Sequence, residues 1–386
     1  MRKKVLYIVT SLRTGGIVRS LQNYLNCCDT SLYDVHVFAM VHQGVFQGNL
    51  KNCTLLPKNR HVDASVDHFE NRHGIAKIES FFLKVLDKIT NYRLQRYIFK
   101  QAGKKLLRSH HYDAVVGYSE GLPTQMVSLM NHPNKIGWIH CDYASYLQVD
   151  SGKTELDTYN ALKSIVCVSD YTRQSFVKIY PTMKDRTYAI YNIIDDVMMK
   201  QKALEPIEES FDSTHFNIVS VGRLDPVKRL SIVPKLARKV VDAGCAIRWY
   251  VIGPKGTGDE VKRFYDNLAL FGMEQSVIPL GEKANPYPYI AKADLLVNTS
   301  VSEACPYVIN EAKILGTPVV CTDFGSAKEF IENGANGYYE PIEKIPERII
   351  SLIQSAEMIG QIRKNLKNFQ YDNGHIFSQI DDLINN

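Results

Sequence analysis

The stretch SEACPYVINEAKILGTPVV, residues 302–320, places two carboxylates, Glu303 and Glu311, across the end of one apolar run and the start of a helical one. On a continuous helix a rise of 1.5 Å per residue would set them roughly 12 Å apart, too far to share one reacting atom and suited to the two ends of a nucleotide-sugar. Backbone N–H groups of Tyr307 and Val308, at the helix start, could hold phosphates between them. The competing reading is a core-facing helix with two exposed acids, because this spacing of Glu also arises by chance. In VGRLDPVKRL, residues 221–230, Arg223 and Lys228 directly follow another apolar run. Such a pair suits a diphosphate, since Arg grips two oxygens at once and Lys acts as a mobile point charge; the alternative is a solvated pair of surface cations. In SLRTGGIVRS, residues 11–20, Gly15 and Gly16 would let backbone N–H groups approach a phosphate without Cβ obstruction. The turn is neither GxGxxG nor GxxxxGK[ST], which leaves a dinucleotide fingerprint and a Walker site unsupported, and a tight turn without ligand remains open. His140, in GWIHCDY, ends a strand-like run and reads either as a group of the same site or as a structural imidazole. Cys305 has no His partner nearby in sequence and reads as a packing residue. The tripeptide Asp323-Phe324-Gly325 lacks the rest of a kinase signature.

Positioning these residues requires strands that end beside helix starts. The N-terminal half supplies them: strand-like runs at 4–10, 35–41, 114–118, 136–140, 165–169 and 188–193 alternate with helical stretches. Such alternation implies a parallel sheet covered on both faces. Residues 200–214, KQKALEPIEESFDST, are polar and acidic without apolar period and read as a linker. A second series follows: FNIVSVG, a helix containing Pro234, IRWYVIG, a helix 259–271, VIPLG, a short helix, DLLVNTS, a helix 303–315 and PVVCTDFG. The expectation is an α/β chain of two Rossmann-like, doubly wound domains facing each other across an interdomain cleft. The domains are residues 1–196, a linker at 197–215, a second domain at 216–345 and a helical tail at 346–386 that could return to the first domain.

Composition bounds the function. The chain has 386 residues, 45% hydrophobic and 23% charged, with room for two substantial cores. No window approaches the roughly 20 apolar residues of a membrane-spanning helix, and the first apolar run ends in a glycine turn rather than a cleavage site. Eight cysteines without a CxxC pair, several in strand-like runs, fit reduced buried thiols and a cytoplasmic location. The net charge of +5 is local: residues 72–108 hold ten Lys or Arg against two acids, so the remaining chain is net acidic. That argues against a nucleic-acid-binding surface and for one contact with something anionic. Within it, Ile78, Phe81, Phe82, Val85, Leu86 and Ile89 recur at helical spacing, with Lys77, Lys84 and Lys88 along the flank. This stripe admits two readings: peripheral contact with an anionic membrane, placing the protein on its inner face, or packing in the first domain's core.

Taken together, VGRLDPVKR, VIGPKG, GEKANPYPYIAKADLLVNTS, the Glu303-x7-Glu311 element and GTPVVCTDFGSAKEFIENGANGYY, spanning about 217–341, resemble the retaining glycosyltransferases of glycosyltransferase family 4, which have the GT-B fold. The TGG turn, WIH at 138–140, CVSDYTR at 167–173 and YNIID at 191–195 are similar to that family's first-domain landmarks. The resemblance implies that Arg223 and Lys228 bind the donor diphosphate, Glu303 the hydroxyls of the transferred sugar and Glu311 the ribose. It further implies that Gly15 and Gly16 approach phosphates or acceptor, that His140 sits near the sugar, and that Gly253 belongs with the substrate-binding residues. One departure is Ala304, where the family usually has Gly.

The resulting expectation is an enzyme that moves a hexose-type sugar from a nucleoside-diphosphate sugar to a hydroxyl of a glycan or lipid-linked acceptor, with retention, in cell-surface polysaccharide or glycolipid synthesis. No Asp-x-Asp occurs in the chain, so fixed cations and helix N-termini, rather than a metal or other cofactor, would stabilise the departing diphosphate. The rivals are a nucleotide-sugar epimerase and a non-catalytic sugar-nucleotide or polysaccharide-binding subunit.

Overall fold

The computed structural model describes residues 2–13, 15–44, 50–67, 74–149, 155–209, 211–254, 256 and 259–385. Thr14 of the glycine turn, Arg72 at the head of the basic segment and Lys255 of the VIGPKG loop lie outside them.

Seven strands form the first sheet: β1 (Lys3–Ser11), β2 (Tyr33–Val41), β3 (Thr54–Leu55), β4 (Ala114–Gly117), β5 (Lys135–Ile139), β6 (Ser164–Cys167) and β7 (Thr187–Ala189). All pair in parallel, in the order β3-β2-β1-β4-β5-β6-β7. β4 and β6 are buried at every residue and β1 from Val5 to Val9, the signature of strands covered on both faces by helices. The second sheet comprises β8 (Phe216–Val221), β9 (Ile247–Ile252), β10 (Val277–Gly281), β11 (Leu295–Asn298), β12 (Val319–Thr322) and β13 (Gly337–Glu340), again parallel, in the order β10-β9-β8-β11-β12-β13. Its core gathers Ile218, Trp249, Phe264, Leu295 and Val320. Trp249 Nε1 donates to Ser220 Oγ at 3.0 Å, and that hydroxyl donates to the Val297 carbonyl at 2.6 Å, so the polar groups within the layer are satisfied.

Each order reverses direction once, between β1 and β4 in the first sheet and between β8 and β11 in the second. At such a reversal the two following connections leave on opposite sides, and a crevice opens beyond the carboxyl ends of the strands.

The chain divides into two units, 1–193 with 373–386, and 194–372. The polar stretch expected to be a linker is therefore partly structured: Asp196–Lys202 is a helix, capped by Asp195, that packs Met199 against Tyr287. The tail also divides. Ile345–Gln354 and Ala356–Leu366 complete the second core through Ile349, Leu352 and Ile362, whereas Asn373–Asn385 lies on the first unit. There Asn134 Nδ2 donates to the Leu383 carbonyl at 3.0 Å. Pro234 lies in the first turn of the helix Val233–Asp242, where its missing N–H has no intrahelical role. Among the described residues no helix is long and apolar enough to cross a membrane.

Candidate active site

The second sheet's reversal lies between the end of β8 and the end of β11, and the loops that follow carry Lys228 and Glu303. Asp225 builds the first loop. Its carboxylate accepts from Lys228 N at 2.8 Å and its carbonyl from Arg229 N at 3.0 Å, closing a turn at the Asp-Pro pair rather than starting a helix there. Arg229, at φ 49°, then directs the chain into a short 3-10 turn, and the helix begins at Val233. Two hydrogen bonds stitch this loop to the one after β11: Val301 N to the Val227 carbonyl at 2.8 Å, and Thr299 Oγ1 to the Lys228 carbonyl at 2.8 Å. The backbones under both side chains are thus fixed to each other.

The result is an ion pair, Lys228 Nζ to Glu303 Oε1 at 2.7 Å, with the two side chains 28% and 11% exposed. Oε1 also accepts from Ser300 Oγ at 2.7 Å and from Asn298 Nδ2 at 3.3 Å. Three donors on one oxygen hold the carboxylate's orientation, and no described residue donates to Oε2. Asn298 Oδ1 in turn accepts from Ser300 N at 3.0 Å, and Ser326 Oγ donates to the Glu303 carbonyl at 2.8 Å. Oε2 can receive ligand hydroxyls, and the ammonium beside it can meet an anion.

The helix expected from Glu303 begins later, at Tyr307, because Pro306 occupies the N-cap in extended conformation. Glu303 therefore stands in the loop, and the helical spacing does not apply to the pair. Tyr307 and Val308 are the first two helical residues, and Pro306 caps them with no side-chain hydrogen bond. Glu311 follows on the buried face, 2% exposed, so neither acid matches the exposed pair of the competing reading. Arg223 is held only at the surface: its guanidinium pairs with Asp225 at 3.1 Å and its side chain is 64% exposed. Gly253 has a reason inside the protein, since at φ 152° a Cβ there would lie 1.9 Å from the Gly222 carbonyl oxygen, just before Arg223. Cys305 is half-buried and takes no place on the Glu303 carboxylate.

In the first unit the reversal lies at β1 and β4. Gly15 is the N-cap of the helix Gly16–Cys27 and offers no side-chain cap. A Cβ added to either glycine would meet nothing within 4 Å, so neither packing nor a left-handed backbone demands glycine there. Ser20 anchors the helix, donating to Asn192 Oδ1 at 2.8 Å. His140 follows β5 by one residue. Its ring packs edge-on to Tyr118 with centroids 5.0 Å apart, and its Nε2 is buried without a hydrogen-bond partner. Burial pushes its pKa down to about 3, which keeps the imidazole neutral near pH 7. The Glu120 carboxylate accepts the His140 backbone N–H at 2.9 Å, and burial raises its pKa.

Sequence reasoning missed Asn298, Ser300, Asp225 and Glu120. All four lie within four residues of a strand's carboxyl end, the one signal that could have found them. Among the described residues no three His, Cys, Asp or Glu side chains are grouped as a metal site.

Two successive Rossmann-like parallel sheets, each with its candidate groups at the point of reversal, define a fold of the GT-B class. In agreement, the structure of Anabaena HepE in complex with UDP and glucose superposes over all of both chains with a TM-score of 0.72 at 18% identity. Residues 202–371 match the family model described as Glycosyl transferases group 1. Among curated relatives, the spore coat protein SA of Bacillus subtilis is 25% identical over 244 residues, 58% of this chain and 64% of that one. The N-acetylgalactosamine-N,N'-diacetylbacillosaminyl-diphospho-undecaprenol 4-alpha-N-acetylgalactosaminyltransferase of Campylobacter jejuni is 34% identical over 139 residues, 36% of this chain and 35% of that one. The chain thus spans less than two thirds of the length of these curated relatives, and the matches support a glycosyltransferase.

Proposed function

We propose that the protein transfers a hexose-type sugar from a nucleoside-diphosphate sugar to a hydroxyl of a glycan or lipid-linked acceptor, with retention and without a metal, in the retaining family 4 manner. The observation that carries this reading is the fixed Lys228–Glu303 pair at the reversal of the second sheet, with Glu303 Oε2 left to a ligand. Glu303 takes hydroxyls of the transferred sugar on Oε2. Lys228 keeps its hydrogen bond to Glu303 and offers the diphosphate another of its three N–H donors, with Arg223 adding charge from the loop surface and the N–H groups at Tyr307 and Val308 completing the cradle. Glu311 holds the ribose from the buried face of that helix. In the first unit Gly15 and Gly16, free of any packing demand, allow close backbone approach to phosphate or acceptor.

The chemistry follows from charge. As the bond between the anomeric carbon and the diphosphate oxygen breaks, negative charge grows on the diphosphate, and cations placed beforehand stabilise it there. Glu303 is a poor nucleophile, because Lys228 and two neutral donors already engage its charge. Retention then results from attack on the face the diphosphate leaves. The acceptor oxygen bonds to the anomeric carbon, and its proton passes to the departing phosphate oxygen. His140, neutral, can accept or donate one hydrogen bond to a ligand without adding positive charge. The names of HepE's bound ligands and of the undecaprenol-linked relative support a uridine donor and a lipid-linked acceptor as first substrates to try. Eight free thiols, four of them buried, support a reducing, cytoplasmic location. The deciding experiment is a donor panel with wild type, Lys228→Ala and Glu303→Gln, reading nucleoside diphosphate release and the anomeric configuration of the product by NMR. An inverted product would refute the retaining assignment.

A further inference from the structure

The helix Gly74–Ile89 is turned inside out for a soluble protein. Ile78, Phe81, Phe82, Val85, Leu86 and Ile89 are 57%, 52%, 59%, 39%, 47% and 74% exposed. At 100° per residue they cover one arc of about 140°. The opposite side faces the protein, and it is largely polar: Ser80 is fully buried, its hydroxyl donating to the Ala64 carbonyl at 2.9 Å, and Asp87 is 9% exposed, accepting from Gln95 N at 2.8 Å. Glu79 is held by Arg60 at 2.6 Å. The helix is thus fastened by polar contacts, and among the described residues none of the six of the stripe joins the core cluster built around Leu6, Phe99 and Phe176. A contiguous apolar row of this size in water marks an interaction surface.

Charge identifies the partner. Lys77, Lys84 and Lys88 fall together along one edge of the stripe. The next helix, Arg93–Ser109, carries six Lys or Arg, all exposed, and no acid. The only two acids of 74–109, Glu79 and Asp87, are the ones engaged toward the protein. Apolar side chains beside an edge of lysines, on a helix about 24 Å long, match a bilayer interface in which acyl chains lie below and phosphates beside. We infer that the exposed face of Gly74–Ile89, with the cations of Arg93–Ser109, docks the protein on anionic phospholipid. The contact goes beyond the proposed transfer reaction and needs no catalysis, so its test stands apart from that reading.

The test is co-sedimentation of the full chain with phosphatidylcholine vesicles, with and without about one third phosphatidylglycerol, at low and high salt. Binding should require phosphatidylglycerol and weaken as salt rises. Phe82→Ser with Ile89→Ser alters only exposed side chains, so the thermal midpoint should stay near wild type while binding falls at least tenfold. Lys88→Glu, Lys104→Glu and Lys105→Glu together should abolish it, since each basic residue near the surface contributes about fivefold. Equal binding to neutral and anionic vesicles, no binding at low salt, or binding indifferent to both variants would each overturn the proposal. So would a dimer, seen by light scattering, that disappears in Phe82→Ser/Ile89→Ser without any vesicle binding, which would assign the face to a second copy of the chain.

Discussion

Replacing Ser300 by Ala removes one atom from the proposed sugar site and little else. The Ser300 hydroxyl donates to Glu303 Oε1 at 2.7 Å, whereas its other contacts run through the backbone: its N–H donates to Asn298 Oδ1 and its carbonyl accepts from Thr322 Oγ1. Those backbone bonds survive the substitution. A hydrogen bond to a charged group contributes about 1.5–3 kcal/mol, and the lower end applies because Lys228 still holds the same oxygen. A loss of about 1.5 kcal/mol is roughly tenfold in kcat/KM. The loss should be confined to the sugar. Steady-state kinetics with the nucleotide-sugar should show the tenfold fall, while calorimetric titration with the nucleoside diphosphate alone should give a Kd within about twofold of wild type. Ser300→Thr, which keeps the hydroxyl, should recover part of the rate. An equal fall in nucleoside diphosphate affinity would refute the placement of Glu303 on the sugar, and unchanged kinetics would show that its orientation does not matter.

The two cations should differ in weight. Lys228→Ala should cost on the order of 10- to 100-fold in kcat/KM, whereas Arg223→Ala, removing a largely exposed side chain, should cost less than tenfold; comparison of the two by initial rates decides it. Glu311→Gln should weaken nucleoside diphosphate binding, and Glu303→Gln should weaken only the sugar-nucleotide; titration with both ligands separates them. His140 carries a signature in stability. Its folded pKa of about 3 lies below the ordinary imidazole value, so between about pH 6.5 and pH 3 the unfolded chain binds the extra proton and the folded state loses stability as pH falls. Urea unfolding at about pH 7 and about pH 5 should show wild type losing up to about 1.4 kcal/mol per pH unit more than His140→Asn, and an identical slope would contradict the buried neutral ring.

The alternation of apolar runs announced two parallel sheets, because a strand buried on both faces is written in a continuous stretch of sequence, as in Val5 to Val9. The strand orders were not written there. Pairing of Val5 with both Val35 and Ala114 is non-local, and it is this pairing that puts β1 beside β4 and so locates the reversal. Lys228 and Glu303 were legible by charge and place, but their direct contact spans 75 residues and rests on the two backbone bonds that join their loops. Ser300 and Asn298 escaped notice because a polar residue at a strand end is ordinary, and only distance shows that both aim at one oxygen. In the helix Gly74–Ile89 the period revealed the stripe but not its sign. Which side faces inward was decided by Ser80, Glu79 and Asp87 finding partners at Ala64, Arg60 and Gln95.

We propose that the second unit binds a nucleoside-diphosphate sugar through Lys228 and Glu303 and breaks its glycosidic phosphate bond without a metal. It is tested most directly by incubating the purified protein, in excess EDTA, with a panel of nucleotide-sugars and measuring released nucleoside diphosphate with and without a lipid-linked glycan acceptor. Release from at least one donor, its acceleration by acceptor, and loss of both in Glu303→Gln and Lys228→Ala are the expected outcome. Release that requires added Mg2+ or Mn2+, or that proceeds unchanged in those two variants, would contradict it.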